Sequence, residues 1–250
     1  MNTYEALLKF YKHEAAFTNE TLKDAQVALE EAAVREPECP QVWTFLGLLY
    51  CQNYSMESIE RQPPIEELIQ IAEKGVRLNP SNQRARVVLA LARLLNNQLS
   101  EGLVEARNAF ALNPNSLIFM DVIGHVLALL GDWDEGTSLI KKAIKLNPYH
   151  KPYAYHVLCA DWLRKKEYER AYLETLNFRF PSLFWEPLLQ SSTRGHLGRT
   201  DEGSRYVEEL LTIKPDFSDR GRTLIKKYVK SEELAHCIID GLKKSGLEIK

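Results

Sequence analysis

The sequence predicts an all-helical fold: a right-handed stack of about six helix-turn-helix units over residues 1–217, closed by a helical cap over 218–250. Three observations carry this reading. Prolines that end a helical pattern stand at Pro37, Pro80, Pro114, Pro148, Pro181 and Pro215, spaced by 43, 34, 34, 33 and 34 residues, and a period near 34 is that of a stacked helix pair. Three of them close the same phrase, Arg77-Leu78-Asn79-Pro80, Ala111-Leu112-Asn113-Pro114 and Lys145-Leu146-Asn147-Pro148, where Asn leaves a helix and Pro cannot continue it. No window alternates apolar and polar residues with the period of a strand.

The units fall at roughly 3–37, 40–80, 83–114, 117–148, 152–181 and 184–215. The second is longer by about nine residues, and Asn53 to Pro64, ending in Pro63-Pro64, reads as an enlarged loop between its two helices. Within a unit, two apolar-periodic segments flank a polar turn, as in Leu130-Gly131-Asp132-Trp133 and Leu197-Gly198-Arg199-Thr200. Gly131 and Gly198 are placed to take the left-handed conformation that ends the first helix, and the acids that follow suit the positive end of the next helix dipole. Gly102, Gly136 and Gly203 sit early in second helices at a cost of about 1 kcal/mol each in helix propensity, which close helix approach would offset. In the cap, Leu234, Ile238 and Leu242 recur at helical spacing and point inward.

These residues resemble the tetratricopeptide repeat. Tyr155, Leu158, Cys159, Trp162 and Ala171 take its bulky, apolar, small, aromatic and small positions, and Trp43, Leu46, Gly47 and Tyr50 do so in an earlier unit. The resemblance implies a solenoid whose first helices line a binding groove. A narrower likeness lies in Gly131-Asp132-Trp133 with Gly136, Lys145-Leu146-Asn147-Pro148-Tyr149-His150, Ser182-Leu183-Phe184-Trp185-Glu186-Pro187-Leu188-Leu189, and the closing segments from Pro215 and Asp240. These are similar to the repeat region at the carboxyl end of bacterial class III adenylate cyclases and related winged-helix regulators. That likeness implies a regulatory module, here without the cyclase or DNA-binding domain that precedes it in those proteins.

The 250 residues are 45% apolar and 26% charged, with 32 basic and 34 acidic side chains. The net charge of -2 is too balanced for a nucleic-acid or anionic-membrane footprint over the whole chain. From Arg220 to Lys250 the balance is +4, but Glu232, Glu233 and Asp240 interleave, so a solvated capping helix is favoured over phosphate contact. There is no apolar run of membrane length and no leader pattern. Cys39, Cys51, Cys159 and Cys237 form no CxxC pair and read as reduced thiols, most simply in a cytoplasm.

Glycine-rich phosphate loops of the GxxxxGK[ST] or GxGxxG kind are absent, and no nucleophile-base cluster or paired-carboxylate motif stands out. The expectation is therefore a non-enzymatic chain without cofactor that binds a protein or peptide partner, or a second copy of itself, with no membrane and no nucleic acid. The groove positions of the first helices are Thr44 and Leu48; Arg84, Val87 and Leu91; Ile118, Asp121 and His125; Tyr153 and His156; and Trp185. Lys and Asn or Arg, which carboxylate-clamp repeats require there, are replaced by Thr44, Leu48, Val87 and Leu91. Asp121 and His125 are four apart on one helix face with His156 one unit on, a spacing that permits a two-histidine, one-carboxylate metal site or small-molecule groove as the alternative. Trp133 is expected to seal the seam between units, and Trp185 either to seal it or to anchor a partner.

Overall fold

The computed structural model describes residues 2–147, 154–177 and 183–250. They form fourteen helices and no strand, in two compact units, Met1–Phe119 and Met120–Lys250. None of the described helices is long and apolar enough to cross a membrane.

Unit 1 is three helix pairs: α1 (Thr3–Ala16) with α2 (Asn19–Arg35), α3 (Pro40–Met56) with α4 (Ile65–Leu78), and α5 (Gln83–Leu95) with α6 (Leu99–Leu112). The starts follow from local chemistry. The Asn2 side chain accepts from Glu5 N–H in a capping box, Pro40 opens α3 where its missing N–H costs nothing, and Asn82 Oδ1 accepts from Ala85 N–H at 3.2 Å. The ends come at Asn79 and Asn113, as the repeated phrase predicts. Gly47 lets α3 approach its neighbours, since a methyl group there would stand 3.0 Å from Val88 Cγ1.

The enlarged loop is shorter than the sequence suggests, because α3 runs on to Met56. Asn53, fully buried, organises what remains: its Nδ2 donates to the Ile59 and Arg61 carbonyls at 3.0 and 3.2 Å, and its Oδ1 accepts from Ile59 N–H at 2.9 Å. Arg61 then pairs with Glu30 of α2, which also accepts from the Tyr50 hydroxyl at 2.8 Å. Every amide atom of Asn53 is engaged, and the loop is thereby tied to α2.

Unit 2 begins with the pairs α7 (Met120–Leu129) and α8 (Trp133–Leu146), α9 (Ala154–Arg164) and α10 (Tyr168–Thr175), and α11 (Trp185–His196) and α12 (Thr200–Ile213). α13 (Phe217–Tyr228) and α14 (Glu232–Lys244) follow. Gly136 serves the close approach expected of it: a methyl group on it would meet the Gly124 carbonyl oxygen at 2.5 Å and Ala128 N at 2.6 Å, so α7 and α8 cross backbone to backbone. Gly203 is equally tight, but against Ser245 beyond α14. Trp133 packs on the cluster of Ala128, Ile140, Ala154, Val157 and Leu158 with Arg164 over its ring, and so seals the seam between adjacent pairs.

α14 does not simply extend the stack past α12. It packs chiefly on α11 and also touches α9. A methyl group on Gly195 would overlap the Gly241 carbonyl, and one on Gly241 would overlap Ser192, so small residues on both sides set this crossing. Cys237 Sγ donates to the Leu163 carbonyl of α9 at 3.3 Å.

Candidate interaction surface

The first helices of unit 1, α1, α3 and α5, lie side by side. Phe45 of α3 is the hinge of an aromatic row along them: its ring centre is 4.5 Å from Phe10 and 5.9 Å from Tyr11 of α1, and the Arg84 guanidinium of α5 lies 4.9 Å over its face. The same guanidinium is 5.2 Å from the Phe119 ring, which the turn from Ser116 brings back. At the row's end, α1 turns Tyr4, Leu8 and Tyr11 to solvent at 70%, 51% and 52% exposure. The spacing of four and three residues puts these three on one stripe of one helix. A stripe of large apolar side chains at the surface is the unusual observation, whereas single exposed ones such as Val34 are ordinary.

Several residues expected on this face are elsewhere. Thr44 is buried, its Oγ1 donating to the Pro40 carbonyl at 2.8 Å and standing where a methyl on Gly75 of α4 would press. Phe45, one residue on, is buried as well, while Leu48 is half-buried as expected of a groove edge. Val87 and Leu91 are buried because α5 is apolar nearly all round, nine of its thirteen residues being withdrawn from water. Arg84 is on the face. Ile118 is 73% exposed, but in the turn ahead of α7 and not on a first helix, which begins at Met120. Tyr153 lies outside the described residues, as do Pro148 and Pro181.

In unit 2 the corresponding row is α7, α9 and α11. Here His125 and Trp185 come together around a residue of the chain's own carboxyl end, with His156 near His125. Tyr228 of α13 meets His125 edge-on at 6.5 Å and Trp185 edge-on at 6.0 Å, and Trp185 stacks on Phe184. His156 is buried. Burial holds His125 at a pKa of about 4, and burial together with the neighbouring His125 holds His156 at about 3, so both imidazoles are neutral at neutral pH. Asp121 is buried too, its Oδ1 accepting from Val122 N–H at 2.8 Å. Among the described residues no three His, Cys, Asp or Glu side chains are grouped closely enough to hold a metal ion.

A second contact, which sequence reasoning missed, fastens α14. His196 Nε2 lies 2.8 Å from the Cys237 carbonyl, its ring stacks on Tyr168 at 4.2 Å, and Lys244 Nζ is 3.3 Å from Nδ1. The carbonyl accepts a hydrogen bond from Nε2–H and Nδ1 accepts one from the ammonium, which assigns the neutral tautomer with its hydrogen on Nε2. Burial lowers the imidazole pKa accordingly. Burial also raises the thiols of Cys51, Cys159 and Cys237, which keeps them protonated and disfavours them as nucleophiles. His236, beside Cys237 in sequence, points to solvent; His196, forty-one residues away, is the histidine that reaches it.

No family model matches the chain. A curated mouse relative, interferon-induced protein with tetratricopeptide repeats 3, is 23% identical over 135 residues, which are 54% of this chain and 32% of that protein. Among solved structures, human IFIT1 as a dimer with m7Gppp-AAAA superposes with a TM-score of 0.66 at 16% identity, over 92% of this chain and 56% of that one. The Cut9-Hcn1 hetero-tetramer of APC/C gives 0.65 at 15% identity, over 96% and 46%. The chain thus spans a third to about half the length of these proteins. The likeness to the cyclase-associated repeats rests on the sequence phrases alone. At these identities the agreement is one of fold: the chain is built of tetratricopeptide-type helix pairs.

Proposed function

We propose that the chain is a non-catalytic interaction module that docks a protein segment on the first-helix face of unit 1 and so regulates an attached or associated signalling domain. The observation that carries this is the contrast between two equivalent faces. In unit 2 the row is filled by Tyr228, whereas in unit 1 Tyr4, Leu8 and Tyr11 stand open beside Phe45 and Arg84. A protein segment suits such a surface, because aromatic rings and an arginine are the side chains that contribute most to protein interfaces.

The oligonucleotide that accompanies human IFIT1 makes nucleic acid the competing partner. Against it, residues 1–119 carry 11 basic and 15 acidic side chains. Phosphate backbones select the opposite balance. The cyclase-type resemblance supplies the kind of output domain such a module would serve.

Photo-crosslinking tests the reading. A benzoyl-phenylalanine at position 8 is expected to form adducts with protein in cells, and the same group at position 34, on α2, to form none. Adducts to nucleic acid only, or equal adducts from both positions, would contradict it.

A further inference from the structure

The exposed stripe of α1 has a pattern of its own. Tyr4, Leu8, Tyr11 and Ala15 are all exposed and follow one another by four, three and four residues, the spacing of a coiled-coil seam. The seam runs nearly the whole length of this fourteen-residue helix. Glu5 and Lys12, seven apart and exposed as well, lie along one edge of it. Set against its own reverse, the pattern fits itself. Tyr4 then meets Ala15 and Leu8 meets Tyr11, so each tyrosine faces a smaller side chain, and Glu5 comes beside Lys12 once on each side of the centre.

Resting on the docking reading above, we propose that the segment docked on α1 is α1 of a second copy of this chain, the two helices antiparallel about a two-fold axis between Leu8 and Tyr11. A two-fold contact must be complementary to itself, and α1 is so in both size and charge. The charge order selects this occupant. An edge that reads acid then base is matched by an edge carrying the same two signs in reverse, which α1 itself supplies. A parallel pair would set tyrosine on tyrosine in two layers and leave Glu5 and Lys12 without each other. One pair of short helices falls at the small end of specific interfaces, under about 1,200 Å². Association is therefore weak, and the dilute chain keeps α1 open.

Sedimentation velocity of the intact chain, from micromolar to several hundred micromolar, tests this. The chain is expected to pass from monomer to dimer over that range, and L8E to stay monomeric. K12E turns two attractive pairs into two repulsive ones and should weaken the dimer about tenfold. Exchanging the signs in E5K/K12E should restore it. Because Glu5 also closes the capping box of α1, salt supplies a second reading: the unmodified dimer should loosen as salt rises and the K12E dimer tighten. That reading also decides if L8E fails to fold. A dimer that survives L8E, or one indifferent to both K12E and salt, would overturn the pairing. A chain monomeric throughout that still forms protein adducts from position 8 in cells would overturn it too, and leave the docking face standing. Neither dimer nor adducts would overturn both.

Discussion

At the scale of single residues, one turn shows how much of the architecture is written in backbone geometry. Gly131 and Gly198 end first helices with φ of 108° and 71°, and the N–H one residue on bonds back to Leu127 and Arg194 at 2.9 and 3.0 Å. Asn97 and Lys166 make the same turn at φ of 59° and 60°, with the equivalent bonds from Gln98 to Arg93 and from Glu167 to Trp162. The glycines announce the turn in the sequence; Asn97 and Lys166 do not, because a lysine in the left-handed region is held by the packed helices on either side and not by its own preference. Lys166→Gly is therefore expected to raise stability by about 0.5–1 kcal/mol, and Asn97→Gly by less, since Asn tolerates this region. Urea unfolding measures both, and a loss of stability would contradict the assignment. The same scale explains the displaced groove. Thr44 and Phe45 are about 100° apart on α3, yet both are buried, because α3 is covered on several sides by its neighbours and motif position alone does not say which residue meets water.

At the scale of elements, the helices, the Asn stops and the close crossing at Gly136 were legible, because each rests on a local rule. The placement of α13 and α14 was not. Their apolar positions say only that one side is buried, and the partner is chosen by small residues far away, Gly195 and Ser192 of α11 against Gly241 of α14. Nor could the sequence join His196 to Cys237, which pairs residues from α11 and α14. These buried histidines give unit 2 a pH dependence of definite sign. Their folded pKa values lie below the ordinary 6.5, so below pH 6.5 the unfolded chain takes up protons that the fold refuses. The stabilisation is whole above pH 6.5 and is lost as pH falls toward about 4, where His125 titrates in the fold. His125 and His156 each contribute a slope of up to about 1.4 kcal/mol per pH unit. The urea midpoint should accordingly fall between pH 7.5 and pH 5.5, and a midpoint that stays level would contradict the neutral, buried placement of these rings.

At the scale of the molecule, two units built from the same kind of helix pair present unlike first-helix faces. In unit 2 the groove residues His125 and Trp185 are spent on the chain's own Tyr228, and His156 is buried. In unit 1 the row from Tyr11 through Phe45 to Arg84 ends on exposed apolar residues. Reading the groove as uniform was the natural expectation of a repeat, since each unit repeats the same motif positions; what breaks the uniformity is the carboxyl-terminal helix pair. Hydroxyl-radical footprinting of the free chain, read by mass spectrometry, tests this asymmetry most directly. Tyr4, Leu8 and Tyr11 are expected to oxidise several-fold faster than His156 and Tyr228. Equal rates for the two groups would mean that the unit 2 face is as open as that of unit 1, and would contradict the account.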